Sequence, residues 1–332
     1  MNIRNVKTGD NKFSGIAQDG IYSSRFGVMG TEDLGGGLKA NFHFEGGMAP
    51  DVGTSGKFDF QRKSVIGLSG GFGEFRVGRD YTPMFTVAGI ADPFGTNGVG
   101  SSYNLANSVI YNAGVALTPA ELTAAGGFLT QSGTTVTVAD PNAVRSNNSV
   151  AYYSPSFSGF TAGLMYGFGA EGTGSAGKMT SLKLQYGNGP LVVALGNQST
   201  KGTNEQAKLA TTFLAGSYDL GMAKISAGYK KDKLTITGAG DSVKSTILGV
   251  AVPMGATTLK ASYVARKADE DKVGNQFALG AVHDLSKRTA VYATYSVLKN
   301  EDGYGLSVGS AAATDFSGVK SKGFEFGVKH SF

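Results

Sequence analysis

The side chains that most often carry enzymatic chemistry are sparse in this sequence and lack the spacing that catalysis needs. The three histidines, His43, His283 and His330, are too far apart along the chain to have metal-ligand spacing, and there is no cysteine. No serine lies on a recognisable nucleophile elbow. The glycines of GGFGEFRVG (70–78) belong to a strand with a turn before it, whereas a phosphate-binding loop opens a helix. The stretch TEDLGGG (31–37) lacks calcium-loop spacing. We therefore expect no enzyme, no metal site and no cofactor.

The remaining candidates are charged residues within segments whose polarity alternates. In MTSLKLQYG (179–187), Leu182, Leu184 and Tyr186 lie on one side and Lys183 lies on the other. GFTAGLMYGFG (159–169) and TTLKASYVARKA (257–268) follow the same rule. A period of two over eight to eleven residues predicts β-strands, so the charges of each segment share one face of a sheet.

The connections between these segments alternate in length. Short turns such as 187–190, 219–221, 253–255 and 284–286 are followed by longer polar stretches such as GAEGTGSAGK (169–178). Long loops at one end of a sheet and tight turns at the other are typical of a transmembrane β-barrel. A soluble β-protein would have bulky residues inside and charges outside. Here the non-apolar face carries Lys, Ser, Gly, Thr and Gln, which suit a water-filled lumen.

Composition agrees with one large β-architecture. The 332 residues include 51 Gly, 8 Pro, no Cys and no Trp, and the net charge is +5 with a pI near 9.1. The basic residues are dispersed, whereas nucleic-acid binding proteins more often carry a basic patch, so we expect no nucleic-acid partner. No run of eighteen apolar residues predicts a transmembrane helix, and the N-terminus has no apolar core of a secretory signal.

The alternating pattern predicts about fifteen strands. Bacterial outer-membrane barrels have an even number, so one strand is expected to be missing, at the N-terminus. The predicted strands start near Ile21, Gly37, Lys57, Gly73, Asn148, Gly159, Met179, Pro190, Ala207, Met222, Ser245, Thr257, Asn275, Arg288 and Gly323.

Four blocks of the sequence resemble the general porins of β-proteobacteria. They are SRFGVMGTEDLGGGLKANFHFEGG (24–47), RKSVIGLSGGFGEFRVGRDYTP (62–83), RSNNSVAYYSPSFSGF (145–160) and the terminal VKHSF (328–332). The resemblance runs from about Ser24 to the end, and the anion-selective type is the most similar. It implies a single domain over 1–332, a sixteen-stranded antiparallel transmembrane β-barrel in the bacterial outer membrane, and a third loop folded into the lumen.

The sequence departs from this family pattern in two places. The family's first strand is expected to be absent, so that the chain starts in the first external loop and the last strand lacks the partner that would close the barrel. The interval assigned to the third loop and pore constriction, 81–145, is longer than usual and contains NSVIYNAG (107–114), a near-echo of NSVAYYSP (148–155). A second long external loop is expected over 300–322.

Strand parity predicts which charges face the lumen. Phe26 and Val28 point outward, which places Arg25 inward, and the same rule places Glu45 inward on the next strand. With Val150 and Tyr152 outward, Arg145, Asn147 and Ser149 point inward. FQRKSVIGLSG (60–70) is ambiguous, because both parities contain apolar residues. If Arg62 points inward, Val65 and Gly67 face out, and Lys63, a further candidate for the anion-binding constriction, lies near the rim or a subunit contact.

The resemblance implies that Arg25, Arg62 and Arg145 converge on the barrel wall opposite the third loop. Like charges in a narrow constriction attract anions and repel cations, and Arg stays charged while offering a rigid fork to carboxylate or phosphate. Glu45 would hold one guanidinium, and Asp92 of the third loop would supply the acidic side of a transverse field. Other cations expected to face inward form a basic track, namely Lys183, Lys208, Lys224, Lys260 and Arg266.

These observations predict an outer-membrane porin for passive diffusion of small hydrophilic solutes, with a preference for anions. Two alternatives stay open: a porin selective for organic acids or phosphate, and a plugged structural or adhesive barrel. The expected partners are two further copies in a homotrimer, the lipid bilayer with lipopolysaccharide, small anionic solutes and the barrel assembly machinery. The terminal Phe332, after the alternating strand KGFEFGVKH (322–330), resembles the assembly signal of outer-membrane proteins.

Overall fold

The protein is built almost entirely of antiparallel β-strands. The computed structural model describes residues 1–332 except 54–58, 108–109, 114–118, 133–134, 139, 170–176, 204–205, 237–238 and 310–316. The strands are β1 (Asn2–Thr8), β2 (Asn11–Ala17), β3 (Arg25–Gly35), β4 (Leu38–Gly47), β5 (Lys63–Gly70), β6 (Gly73–Tyr81), β7 (Ile110–Ala113), β8 (Leu129–Ser132), β9 (Thr135–Val138), β10 (Arg145–Tyr153), β11 (Phe160–Gly167), β12 (Met179–Asn188), β13 (Leu191–Lys201), β14 (Ala207–Asp219), β15 (Lys224–Ile236), β16 (Ala239–Met254), β17 (Thr257–Ala268), β18 (Asp271–Asp284), β19 (Thr289–Asn300) and β20 (Lys320–His330).

Seventeen of these strands form one sheet in which neighbours in sequence pair with each other. The ladder runs from β3 through β6 to β10, continues in order to β20, and passes from β20 to β1 and from β1 to β2. Strands β7, β9 and β8 form a small separate sheet. All fifteen predicted strands are present. Lys57, one predicted start, lies outside the described residues, and that strand begins at Lys63.

The N-terminal prediction is wrong. Asn2–Thr8 forms β1 and pairs with β20 over seven residues, so the terminal strand has a partner, and the hairpin strand β2 brings the count to seventeen. Asn2, Arg4 and Thr8 face inward and are buried, so the inward face of β1 is polar and the apolar signal is weak. The signal that could have found this hairpin is the turn at Gly9 and Asp10, where Gly9 has a φ of 58°.

The outer face of the sheet is an apolar band. Along β3–β6 its exposed side chains include Phe26, Val28, Ile66, Phe75 and Val77. The same band continues on the later strands with Leu164, Leu184, Leu195, Leu214, Tyr229, Leu248, Tyr263, Phe277, Tyr295, Phe324 and Phe326. Between them lie the inward residues, which are mostly buried and include polar side chains as well as apolar ones such as Phe213 and Ile247.

The interior is occupied by the connection between β6 and β10. Its described residues form four short helices, α1 (Pro83–Thr86), α2 (Ala88–Ala91), α3 (Tyr103–Ala106) and α4 (Pro119–Ala124). Helix α1 begins where Thr82 caps it, accepting the N–H of Phe85 at 3.2 Å, with Pro83 in the first turn. We call residues 83–106 the inner segment.

The inner segment packs on one wall of the barrel. Helix α1 contacts β11–β13, α2 contacts β13–β16 and α3 contacts β17 and β18, so the sheet wraps around them. The main apolar core lies at this contact, where Val87, Ala91 and Leu105 meet Phe213 and Ile247. The core is thus inside the barrel and the apolar band outside it. In the part of the chain that is described, no helix has the length and apolar character to cross a membrane.

Candidate functional site

Three arginine side chains meet around one carboxylate and one phenol on the wall opposite the core. Arg62 Nε lies 2.8 Å from Glu45 Oε1, and Arg25 Nη1 lies 3.6 Å from the same oxygen. Arg62 and Arg145 also donate to the hydroxyl of Tyr81, at 3.1 and 2.6 Å. The structure therefore places Arg25, Arg62 and Arg145 close together near Glu45, where the resemblance implies that they converge. Tyr81 is a further member that the sequence did not suggest.

The ends of strands position these side chains. Arg25 is the first residue of β3, Arg145 is the first residue of β10, and Arg145 stands opposite Tyr81, the last residue of β6. Arg62 lies one residue before β5, and its N–H donates to the carbonyl of Glu45. The Arg145 guanidinium stacks 4.1 Å from the centre of the Tyr81 ring, and Phe85 of the inner segment stacks parallel to that ring.

The arginines line a cavity of about 360 Å³ that separates them from the inner segment. Its other side is formed by uncharged residues of the inner segment, namely Phe85, Thr86, Gly89, Gly95, Thr96, Asn97 and Tyr103. The three positive charges less that of Glu45 leave a net charge of +2 on the arginine wall. A small anion entering this space meets guanidinium donors on one side and neutral polar groups on the other.

Asp92 does not face this cavity, so the prediction of an acidic side for a transverse field is wrong. Its carboxylate is buried and accepts backbone N–H groups of Phe94 at 2.8 Å, Thr96 at 3.2 Å and Ser102 at 2.8 Å. Burial raises the pKa of Asp92, although these hydrogen bonds oppose the shift. The residue holds the bend of the inner segment between α2 and α3.

Lys63 belongs to a different cluster. Its Nζ lies 3.0 Å from Oδ1 of the buried Asp80, whose Oδ2 accepts from Arg76 Nη1 at 2.8 Å, and Arg76 also pairs with Glu74. This group is neutral as a whole and faces inward. The inward orientation of Lys63 contradicts the predicted alternative of a subunit contact on the outer face. The alternation of Glu74, Arg76 and Asp80 in GEFRVGRDY (73–81) was the signal for this cluster.

The parity error on β5 has a structural cause. Val65 is buried and shares the inward face of Lys63, while Ile66 and Leu68 are exposed, opposite to the prediction that Val65 and Gly67 face out. Arg62 reaches the lumen from outside the strand, so its orientation does not set the strand's parity. A bulge on β10 leaves Asn147 exposed, and its Oδ1 accepts a hydrogen bond from Arg79 Nη1. The predicted inward orientation of Asn147 is therefore wrong.

Four of the five residues of the predicted basic track face inward. Lys183, Lys224 and Lys260 share the face of the buried Ser181, Lys230 and Ser262. Arg266 is buried. Lys208 is exposed on the same face as Leu214, because Leu209 and Phe213 point inward to the apolar core. Its predicted lumen position is wrong.

Arg266 and a buried ion pair attach the inner segment to the wall. Lys230 Nζ lies 2.6 Å from Asp232 Oδ2 and donates to the carbonyl of Ala106 at 3.1 Å, and both side chains are fully buried. Arg266 donates to the carbonyl of Leu105. Two cations therefore bind the carbonyl end of α3, where the helix dipole is negative. Lys230 and Asp232 are two residues apart in a strand, so the sequence predicts that they lie on the same face. It gives no sign that Lys230 also binds a carbonyl of the inner segment.

A second buried ion pair joins β1, β20 and the inner segment. Arg4 Nη2 lies 2.9 Å from Glu325 Oε2 and 2.7 Å from Asp19 Oδ1, and Asn2 donates to the same Glu325 oxygen at 2.9 Å. Gly98 approaches so closely that a Cβ there would lie 2.2 Å from Glu325 Oε1. A glycine with a φ of 69° is required at this contact.

Comparison with known proteins decides the family. The model of the Gram-negative porin family matches residues 1–303. The chain belongs to the Gram-negative porin family. The porin is 35% identical to outer membrane porin protein 32 of Delftia acidovorans, over 98% of this chain and 88% of that protein. Among solved structures it is similar to the anion-selective porin of Comamonas acidovorans, with a TM-score of 0.81, 31% identity, and coverage of 100% of this chain and 96% of that one.

A third comparison supports the fold alone. The trimer form of OmpT from Vibrio cholerae matches with a TM-score of 0.65 and 16% identity, over 100% of this chain and 97% of that one. The porin is thus an outer-membrane protein whose sheet forms a transmembrane β-barrel, with the apolar band toward lipid and a channel for passive diffusion inside. Within the described part of the chain, no group of three or more His, Cys, Asp or Glu could hold a metal ion.

Proposed function

We propose that the porin is a channel without enzymatic activity that prefers small anions, and that the cavity between the arginine wall and the inner segment is its constriction. The observation that carries this proposal is the meeting of Arg25, Arg62 and Arg145 around Glu45 and Tyr81, with uncharged residues opposite. The solved porin from Comamonas acidovorans is named anion-selective, which supports the same assignment.

The arrangement selects by charge without binding tightly. Each guanidinium keeps its charge, and Glu45 and Tyr81 hold the forks so that some donors stay directed into the cavity. An anion loses part of its hydration shell and gains these donors, while a cation meets repulsion. Because the opposite side is neutral, an anion is not trapped between two charged walls. A channel needs such weak retention for rapid passage.

Planar-bilayer recordings test the proposal. In a salt gradient, the wild-type porin is expected to show open-channel current with a reversal potential that favours chloride. Neutralising the wall in Arg25→Gln/Arg62→Gln/Arg145→Gln should move the reversal potential toward the cation. Retained anion preference in this variant would mean that the filter lies elsewhere. Absent conductance in the wild type would support a plugged barrel, and saturable block by one organic acid or by phosphate would support a selective porin.

A charge-matched control separates the cavity from the overall charge. Lys208, Lys233 and Lys299 are exposed on the outer face. Their simultaneous replacement by Gln removes three positive charges without touching the lumen. The reversal potential of this control should stay near that of the wild type. An equal shift in both triple variants would show that net charge, and not the arginine wall, governs selectivity.

We also propose that the porin is a homotrimer and that β3–β6 form its subunit contact. The outer face of these strands carries an apolar groove of about 630 Å³, lined by Phe42, Ile66, Leu68, Phe75 and Val77. The OmpT structure described as a trimer form has the same fold. Native mass spectrometry in mild detergent should give three chains for the wild type. Ile66→Lys should reduce the trimer fraction, and Leu248→Lys, on the far side, should not.

The last residue is proposed to act in assembly. Phe332 follows β20 and is fully exposed, and its ring contacts that of His330 at 4.7 Å between centroids, so it contributes little packing to the folded barrel. Its proposed ligand is the barrel assembly machinery. Deleting Phe332 should lower the yield of folded porin in the outer membrane while leaving the stability of purified, refolded protein unchanged. Equal loss in both measurements would assign Phe332 to folding instead.

A further inference from the structure

His43 faces the lumen from the middle of β4. Because the side chains of a strand alternate, it lies on the same face as Glu45, the carboxylate of the arginine wall, while Phe42 is exposed on the apolar outer face. Its partner positions on the neighbouring strands are Met29 of β3 and Val65 of β5. His43 is two residues from Glu45, so its imidazole stands roughly 7 Å from the constriction, toward the short turn between β3 and β4.

The charges around His43 balance each other. Those that act on its imidazole come from its own strand, from β5 and from β6, and they are the positive Lys63 and Arg76 and the negative Glu45 and Asp80. Strand β3 presents the uncharged Met29 at this level, and its charged residues on this face, Arg25 and Asp33, are four residues away. Lys39 of β4 faces Asp33. In the described part of the chain, no group forms a hydrogen bond or an ion pair with the His43 ring, so its nitrogens exchange protons with the water of the lumen.

The other two histidines lie on the outer face of the barrel. His283 shares the face of the exposed Leu279, and His330 shares the face of the exposed Val328. An imidazole ordinarily changes its charge between about pH 5 and 8, whereas carboxylates do so below this range and amines and guanidinium groups above it. Among the three histidines, His43 is therefore the one whose charge change reaches the lumen.

We propose that His43 is a specificity-determining residue that couples the anion preference of the channel to the pH of the medium. At about pH 8 the imidazole is neutral, and at about pH 5 it carries a proton. The wall, with a net charge of +2 from its arginines and Glu45, then gains one further positive charge. The lumen attracts anions more strongly and repels cations more strongly. This inference rests on the proposed anion preference and names a residue that adjusts it.

The expected effect is smaller than that of an arginine, because His43 lies further from the narrowest point. An ion at the centre of the cavity, about 5 Å from the wall, is about 9 Å from the imidazole. In water at about 0.1 M salt, where the Debye length is about 10 Å, one charge at that distance changes the anion-to-cation ratio about twofold. Reversal potentials resolve a change of this size.

Reversal potentials of single open channels in a potassium chloride gradient test the proposal. For the wild type, the anion-to-cation ratio should be about twofold higher at about pH 5 than at about pH 8. His43→Gln should keep an anion preference at both pH values without this difference. His43→Lys has a permanent charge in this range, so at the higher pH it should show the ratio that the wild type reaches only at the lower pH.

A matched control removes the histidines of the outer face. The variant His283→Gln/His330→Gln leaves His43 as the one histidine of the chain and should respond to pH like the wild type. A constant anion preference of the wild type over this pH range would overturn the inference and leave the constriction proposal standing. An equal pH response in the wild type and His43→Gln would do the same. A wild type without anion preference at either pH would refute both proposals.

Discussion

Glu45 offers the sharpest test of how the arginine wall works, because it is the acid that both Arg25 and Arg62 contact. Glu45→Gln raises the net charge of the wall from +2 to +3 and keeps a side chain that can accept a hydrogen bond. Arg62→Gln lowers it to +1. The double variant Glu45→Gln/Arg62→Gln returns it to +2. If net charge in the cavity sets selectivity, the two single variants shift in opposite directions and the double variant resembles the wild type.

The size of the shift follows from the cavity. A volume of about 360 Å³ corresponds to a sphere of roughly 4.4 Å radius, so an ion at the centre lies about 5 Å from a charge on the wall. In bulk water this gives about 0.8 kcal/mol per charge. Screening at 0.1 M salt reduces it to about 0.5 kcal/mol, because the Debye length is about 10 Å. An anion gains what a cation loses, so the anion-to-cation ratio changes about fivefold per charge.

Reversal potentials in potassium chloride gradients measure this ratio. Around 0.1 M, Glu45→Gln should raise anion preference about fivefold and Arg62→Gln should lower it by a similar factor. At 1 M the Debye length is about 3 Å, and each change should fall below about twofold. A loss of anion preference in Glu45→Gln would refute the reasoning, since it would show that Glu45 acts by positioning the arginines. A double variant more than about twofold from the wild type would do the same.

Three further changes test the supports of the constriction and the basic residues beyond it. Asp92→Asn leaves at least one backbone N–H of the inner segment without an acceptor, which costs about 1–3 kcal/mol. The loosened segment should increase the current noise in single-channel records. Openings as quiet as those of the wild type would contradict this. Lys230→Met leaves Asp232 buried without its cation, so thermal denaturation should shift by the equivalent of about 3–5 kcal/mol, whereas Lys230→Met/Asp232→Leu should recover most of the loss. Lys183→Glu should reduce anion preference measurably, and the outward Lys208→Glu should not; equal effects would remove the distinction between the two faces.

Strand alternation predicted most of the sheet because one face meets lipid along nearly its whole length. It placed Arg25 and Glu45 correctly, since Phe26 and Phe42 mark the outer face beside them. Arg62 could be placed only by the family resemblance. It precedes β5, and its guanidinium is held by Glu45 and not by the pleat of its own strand.

The error at Lys208 has a physical cause, which is that the barrel has an apolar interior as well as an apolar exterior. An inward Lys208 would require its apolar neighbours to face lipid. Leu209 and Phe213 are instead buried inside, Phe213 against the inner segment and Leu209 against Phe128. A period of two cannot tell which of two apolar environments a face meets. The polar inward face of β1 was missed for the complementary reason, because Arg4 is matched by Glu325 across 321 residues.

Basic side chains have different environments on the two walls of the barrel, because the inner segment packs against only one wall. On the wall of β11–β18, the segment covers the sheet, so Lys230 and Arg266 are buried and their charges are directed to the carbonyls of Ala106 and Leu105. On the wall of β3–β6 and β10, the segment stands off and leaves the cavity. Within the described ranges, the arginines there keep N–H donors that no protein group accepts. An inner segment centred in the barrel would bury neither set and narrow the channel on both sides. Its attachment to one wall by buried cations therefore leaves the arginines of the other wall facing the cavity.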